Sequence, residues 1–133
     1  MIYALDTNII SHLLKDTPAV YENYDKAVAD GDSCIIPPVA YYEIKRGLLF
    51  SHATTKADDF DLLCRELGVG EMSVPTWTEA ARLYADGRLK GRLIEDADLF
   101  MAAFSIVNGC TLATNNTKHF EHIEGLQIVD WLE

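Results

Sequence analysis

Long apolar runs are missing from this 133-residue chain. Nothing approaches the roughly 18 consecutive apolar residues that a membrane-spanning helix requires. Ile2 to Leu5 is too short for a signal-peptide core and is cut off at once by Asp6. The sequence therefore reads as an unexported, cytoplasmic protein with no membrane association. Cysteine is scarce: Cys34, Cys64 and Cys110 are odd in number and far apart, which argues against a disulfide framework and fits buried thiols in a reducing compartment. Cations are few as well, with 11 Lys and Arg against 21 Asp and Glu, a formal charge of −10. That balance counts against tight, unaided nucleic-acid binding, which rests on an excess of Lys and Arg. It leaves phosphodiester chemistry open, because divalent cations held by carboxylates can supply the positive charge. An acidic surface also suits a basic protein partner.

Several catalytic signatures are absent too. Gly68-Val69-Gly70 lacks the Lys and Ser/Thr of a phosphate loop and reads as a turn. His119 and His122 lie three apart with no cysteine pair to complete a zinc site, which leaves them as surface residues. Ser11 and Ser105 have no His and acid partners for a hydrolase triad. Trp77, Trp131, Tyr41 and Tyr42 are expected in core or interface packing.

What is present is globular composition, 49% hydrophobic and 24% charged, in a length that fits one domain over residues 1–133. Ile2 to Leu5 is predicted to be a buried strand, ended by the capping residues Asp6-Thr7-Asn8 and followed by a helix through Leu14. Pro18 opens a second helix toward Gly31. Ser33 to Ile36 returns as a strand, and Pro37-Pro38 starts a helix that carries Glu43 and breaks near Ser51. Further helices are expected from about Lys56 to Leu67 and from Thr76 to Leu89, with Glu71 to Val74 a third strand candidate between them. Asp96 to Val107 is apolar around nearly its whole circumference and should be a buried helix. Thr111 to Thr114 and Leu126 to Val129 complete the strands. This alternation predicts an α/β sandwich with a mainly parallel central sheet.

In open parallel sheets ligands bind at the carboxyl ends of the strands. Asp6 and the run Thr114-Asn115-Asn116 stand there, Asp98 begins the apolar helix, and Glu43 lies about a turn inside the helix after another strand. Clustered carboxylates at the mouth of a core lose solvation and repel, and a divalent cation relieves both costs. Oxygen donors without thiolate or paired imidazole favour Mg²⁺ or Mn²⁺. Each acid also has a bland reading: Asp6 as a helix cap, Glu43 as a solvated partner of Lys45 or Arg46, and Asp98 as a charge favoured by the helix dipole.

Ile2-Tyr3-Ala4-Leu5-Asp6-Thr7-Asn8-Ile9, Val39-Ala40-Tyr41-Tyr42-Glu43-Ile44-Lys45-Arg46-Gly47 and Asp96-Ala97-Asp98-Leu99-Phe100-Met101-Ala102-Ala103 together resemble the PIN-domain ribonucleases. The end, Thr111-Leu112-Ala113-Thr114-Asn115-Asn116-Thr117-Lys118-His119-Phe120-Glu121 with Gly125-Leu126 and Asp130-Trp131, resembles the VapC toxins within that family. The resemblance runs in order along essentially the whole chain. It implies a PIN-like three-layer α/β/α sandwich and a metal-dependent endoribonuclease that leaves 5′-phosphate and 3′-hydroxyl ends. Asp6, Glu43 and Asp98 match the family's metal-binding acids, with Mg²⁺ or Mn²⁺ as cofactor. Asn116 stands at a fourth position that is often Asp, and that departure weakens a second metal site. Asp96 is a further ligand candidate, and Thr7, Asn8 and Thr114 are supporting residues. Lys45, Arg46, Lys56, Arg88, Lys90 and Arg92 are candidates for phosphate contact. The resemblance also implies tRNA or rRNA as substrate, a VapB-like antitoxin inserting an Arg into the acidic pocket, and a homodimer. Two other readings stand beside it. One is a non-catalytic PIN-like binding module; the other is an aspartyl-phosphate phosphatase or receiver-like domain, which Asn8 disfavours where a second Asp is expected.

Overall fold

Short apolar strands covered on both faces are the sequence form of a buried parallel sheet, and the computed structural model, which covers residues 1–133, contains one. β1 (Ile2–Leu5), β2 (Ser33–Ile35), β3 (Thr111–Ala113) and β4 (Gln127–Val129) all pair in parallel in the order β2-β1-β3-β4. Ala4 and Leu5 of central β1 are fully buried, as are Leu112 and Ala113 of β3.

Seven helices flank the sheet in the three-layer α/β/α arrangement that the resemblance implies: α1 (Thr7–Leu14), α2 (Pro18–Ala29), α3 (Pro38–Ser51), α4 (Thr54–Leu67), α5 (Val74–Leu89), α6 (Asp96–Val107) and α7 (Thr117–Phe120). Proline opens α2 and α3 in the first turn, where its missing N–H costs nothing. α6 keeps the bounds its apolar surface predicts; Leu99, Met101, Ala102, Ala103 and Phe104 are buried, and it packs against α5, α3 and β3. No helix is long and apolar enough to cross a membrane. Cys34 and Cys110 are buried, Cys64 is half-buried, and all three are free thiols.

Parallel pairing also sets the place of the site. Leu5 and Ala113 are opposite one another in the β1–β3 register. The Asp6 N–H donates to the Ala113 carbonyl (3.0 Å) and the Thr114 N–H to the Val129 carbonyl (2.9 Å). Asp6 and Thr114 therefore leave the sheet side by side at its carboxyl edge.

Two local expectations need correction. No strand forms at Glu71–Val74; a single parallel bridge joins Val69 to Ile36 instead, through Gly70 N–H to the Ile36 carbonyl (2.8 Å) and Ile36 N–H to the Gly68 carbonyl (3.1 Å). Downstream, the Ser73 hydroxyl accepts the Thr76 N–H (3.3 Å) as a helix cap, and Pro75 sits in the first turn. Capping and a proline that cannot donate to a sheet outweigh the β tendency of Val74, which is 77% exposed and has no burial to gain. The second difference is α7, a one-turn helix too short for periodicity to reveal.

At Gly70 an added Cβ would collide with the ring of Phe104, itself 1% exposed. Gly70→Ala is expected to destabilise the protein by about 1–3 kcal/mol through overpacking, read as a lower urea midpoint with unchanged slope; wild-type stability would contradict this packing.

Candidate active site

Asp6 is only 6% exposed. It caps α1, with Oδ1 accepting the Thr7 N–H (2.7 Å). Oδ2 accepts the Thr114 hydroxyl (2.7 Å) and, at 3.4 Å, the Asn8 side-chain amide. The bland reading of Asp6 as a cap is thus literally correct and incomplete, because a cap needs one carboxylate oxygen and here both are engaged. The Thr114 hydroxyl in turn accepts the Asn116 N–H (2.9 Å), and the Asn8 side-chain oxygen accepts the Asn115 N–H (3.2 Å). These bonds tie the turn after β3 to the start of α1.

Two further acids face Asp6 from other helices. Glu43, in the second turn of α3, accepts the Thr7 hydroxyl through Oε1 (2.7 Å), and its Oε2 lies 3.8 Å from the Arg46 guanidinium. Asp98, in the first turn of α6, has Oδ2 3.1 Å from Nδ1 of His119. Burial raises the Asp6 carboxyl above its ordinary pKa; the bonds from Thr114 and Thr7 pull it back, and the negative charges of Asp98 and Glu43 push it further up. Asp98 is raised for the same first reason, burial, opposed by His119 and reinforced by Glu95 and Glu43. Asp6 thus feels both other acids and Asp98 feels Glu43, which places three elements remote in sequence in one electrostatic neighbourhood.

The remaining expected residues divide. Thr7, Asn8 and Thr114 are bonded to the acids as described. Asn116 is exposed and reaches the cluster only through its backbone N–H. Asp96 is exposed and makes no hydrogen bond or ion pair, whereas Asp98, two residues on, turns inward. Among the cations, Arg46 adjoins Glu43 and stacks over Tyr42 (5.1 Å). Arg92 lines a cleft of about 390 Å³ with Asp98, Lys118, His119 and His122, and Lys56 lines a groove of about 760 Å³ with Thr7 and Glu43. Lys45 is held by Asp61 (3.1 Å), Lys90 by Asp86 (3.2 Å), and Arg88 lies over Tyr84 (5.8 Å), all apart from the acids. Sequence reasoning missed His119. Its partner lies on another helix, and the one available clue was its position three residues past the strand-end Asn116.

The family model described as PIN domain matches residues 3–126. The chain belongs to the PIN-domain family. It is 28% identical over 132 residues to ribonuclease VapC2 of Rickettsia felis, covering 98% of both chains. It is also 28% identical over 135 residues to the tRNA(fMet)-specific endonuclease VapC of Shigella flexneri, covering 97% of each. Among solved structures, VapBC2 from Rickettsia felis bound to a promoter DNA fragment superposes with a TM-score of 0.90 at 26% identity, over 98% of this chain and 99% of that one.

In this PIN domain the donor chemistry fits a hard divalent cation: carboxylates and hydroxyls, with no thiolate. No three acidic, histidine or cysteine side chains converge closely enough to clasp an ion directly. That geometry suits Mg²⁺ or Mn²⁺ held by one or two carboxylates and otherwise by water, the usual habit of Mg²⁺. Asp6 and Asp98 supply the desolvated charge that such an ion would neutralise.

An acid whose pKa is raised by folding makes the native state hold its proton to higher pH than the unfolded chain, so its stability contribution is greatest below the ordinary carboxylate range and falls as pH rises through the folded value. In EDTA, the melting temperature of the wild type relative to Asp98→Asn is therefore expected to fall as pH rises above about 4. A difference independent of pH, or one that grows in favour of the wild type, would contradict the raised value.

Proposed function

We propose that this PIN domain is a Mg²⁺- or Mn²⁺-dependent endoribonuclease, the toxin of a VapBC-type pair acting on RNA in the cytoplasm. The observation that carries the reading is the buried carboxylate of Asp6, electrostatically joined to Asp98 and Glu43 at the carboxyl edge of the sheet. The relatives support it by name, one a ribonuclease and one a tRNA-specific endonuclease. Transfer RNA is accordingly the substrate class favoured here over ribosomal RNA.

Asp6, Asp98 and Glu43 would hold the cation, Asp6 as the buried anchor and the other two from the rim. When bound, Mg²⁺ or Mn²⁺ supplies positive charge beside the phosphodiester and makes water more acidic. The chain's own groups do the positioning. Thr7 N–H and the Thr114 hydroxyl fix the plane of the Asp6 carboxylate, and the Thr7 hydroxyl fixes Glu43 at the opposite rim. Asp6 Oδ1 and Glu43 Oε1 each accept a single hydrogen bond, so their second lone pairs remain available for water or an ion, whereas Asp6 Oδ2 already accepts from both Thr114 and Asn8. His119 holds one oxygen of Asp98 and leaves the other free. Hydrolysis then needs no covalent intermediate with the protein. Asn116 is neutral and exposed, which favours one strongly held ion over two.

The same charge deficit suits a VapB-like antitoxin, since an inserted Arg could pair with the acids in the cation's place. A homodimer belongs to the same proposal: Val74, Trp77 and Tyr84 on α5 are 77%, 47% and 48% exposed, apolar surface of the kind that a second copy could cover.

Cleavage of tRNA is expected to require Mg²⁺ or Mn²⁺ and to fall about 100-fold or more in Asp6→Asn and in Asp98→Asn, each verified as folded by circular dichroism. Undiminished cleavage in excess EDTA would overturn the proposal.

A further inference from the structure

Of the 11 lysines and arginines, Lys45, Arg46, Arg82 and Lys90 are held in ion pairs with carboxylates. Four of the other seven line two clefts, one containing Asp98 and the other Glu43. The first cleft, about 390 Å³, lies between the α5–α6 connection and α7; it holds Asp98 and presents Arg92, Lys118 and His122. The second, about 760 Å³, runs between α1, α3 and the start of α4; it holds Thr7 and Glu43 and presents Lys15, His52 and Lys56. Asp6 is bonded to Thr7, which lines the second cleft, and through Thr114 to the Asn116 turn that leads into α7, whose Lys118 and His119 line the first, and so it stands between the two clefts. Apart from those two acids, Glu95 is the one further carboxylate lining either cleft.

In a chain of net charge −10, unpaired cations gathered on both sides of an acidic centre call for a ligand with negative charge on both sides of a reacting group. A free nucleotide or a chain terminus would engage one cleft and leave the other empty. A polynucleotide that continues in both directions engages both. Exposed Lys and Arg side chains contact phosphates without reading sequence, which suits a continuous backbone.

We propose that a single RNA strand crosses the acidic site, with its phosphates against Arg92 and Lys118 in one cleft and against Lys15 and Lys56 in the other. This rests on the ribonuclease reading and adds the path of the strand. It also accounts for internal rather than terminal cleavage.

The test is fluorescence anisotropy of a labelled single-stranded oligoribonucleotide with the full-length protein in EDTA, across a range of KCl concentrations. Arg92→Gln/Lys118→Gln and Lys15→Gln/Lys56→Gln should each flatten the plot of log affinity against log salt by about 1.4, two phosphate contacts at about 0.7 each. The four substitutions together should flatten it by about twice that. Lys26→Gln/Arg65→Gln removes the same charge from exposed residues outside both clefts that make no ion pair, and should leave the slope unchanged. Unchanged slopes in the cleft variants, or equal flattening in the control, would overturn the path. So would displacement of the RNA by poly-glutamate as effectively as by unlabelled RNA, which would assign the clefts to an acidic peptide. Cleavage in Mg²⁺ separates the two readings: no RNA cleavage by the wild type overturns both, whereas cleavage with unchanged slopes overturns the path alone.

Discussion

Asp6 gives up nearly all its water when β1 docks beside β3, and the bonds it receives from Thr7, Thr114 and Asn8 replace only part of that solvation. Its carboxyl stays above the ordinary pKa despite them. A buried charge left short of partners is costly, and the cost is built in by the register, because Leu5 opposite Ala113 fixes where both strands end. Much of the surrounding architecture follows from that placement. α1 starts at Asp6 and uses it as a cap, Thr114 turns toward it, and α3 and α6 bring Glu43 and Asp98 from other parts of the chain. The site thus holds a deficit of positive charge that the fold itself leaves unfilled.

The same deficit unifies the proposed chemistry, the proposed inhibition and the composition. A cation that completes Asp6 can activate water against a phosphodiester, and an arginine that completes it would block that position. The net charge of −10, awkward for a nuclease when counted over the whole surface, is less so when the cations are sorted. Those already neutralised by carboxylates lie largely away from the acids, and unpaired ones border the clefts on either side of Asp6. Local arrangement, not total charge, decides what a phosphate meets.

Much of this was legible in the sequence because burial and turn chemistry leave strong traces. α6 shows its limits through an all-round apolar surface and a glycine at positive φ, Gly109, just past its end. The strand ends at Asp6 and Thr114 stand out as polar residues interrupting apolar runs. What the sequence concealed depended on tertiary contact or on very short elements. Val74 has a β-forming side chain, yet Ser73 and Pro75 commit the segment to a helix start. His119 belongs to a single turn, α7, and its significance comes from Asp98 across the cleft. Asp96 and Asp98 are alike in sequence, and only the helix phase separates the exposed one from the half-buried one. The ion pairs that set Lys45 and Lys90 apart from Arg92 and Lys56 were equally invisible without coordinates.

The claim on which the account rests is that Asp6, Asp98 and Glu43 share one hard cation. Anomalous diffraction from crystals grown with Mn²⁺ tests it directly. The account predicts a single strong manganese peak at the carboxyl edge of β1, ligated by Asp6 or Asp98 and reached by the other acids directly or through one water. A peak elsewhere, or none at millimolar Mn²⁺, would contradict it.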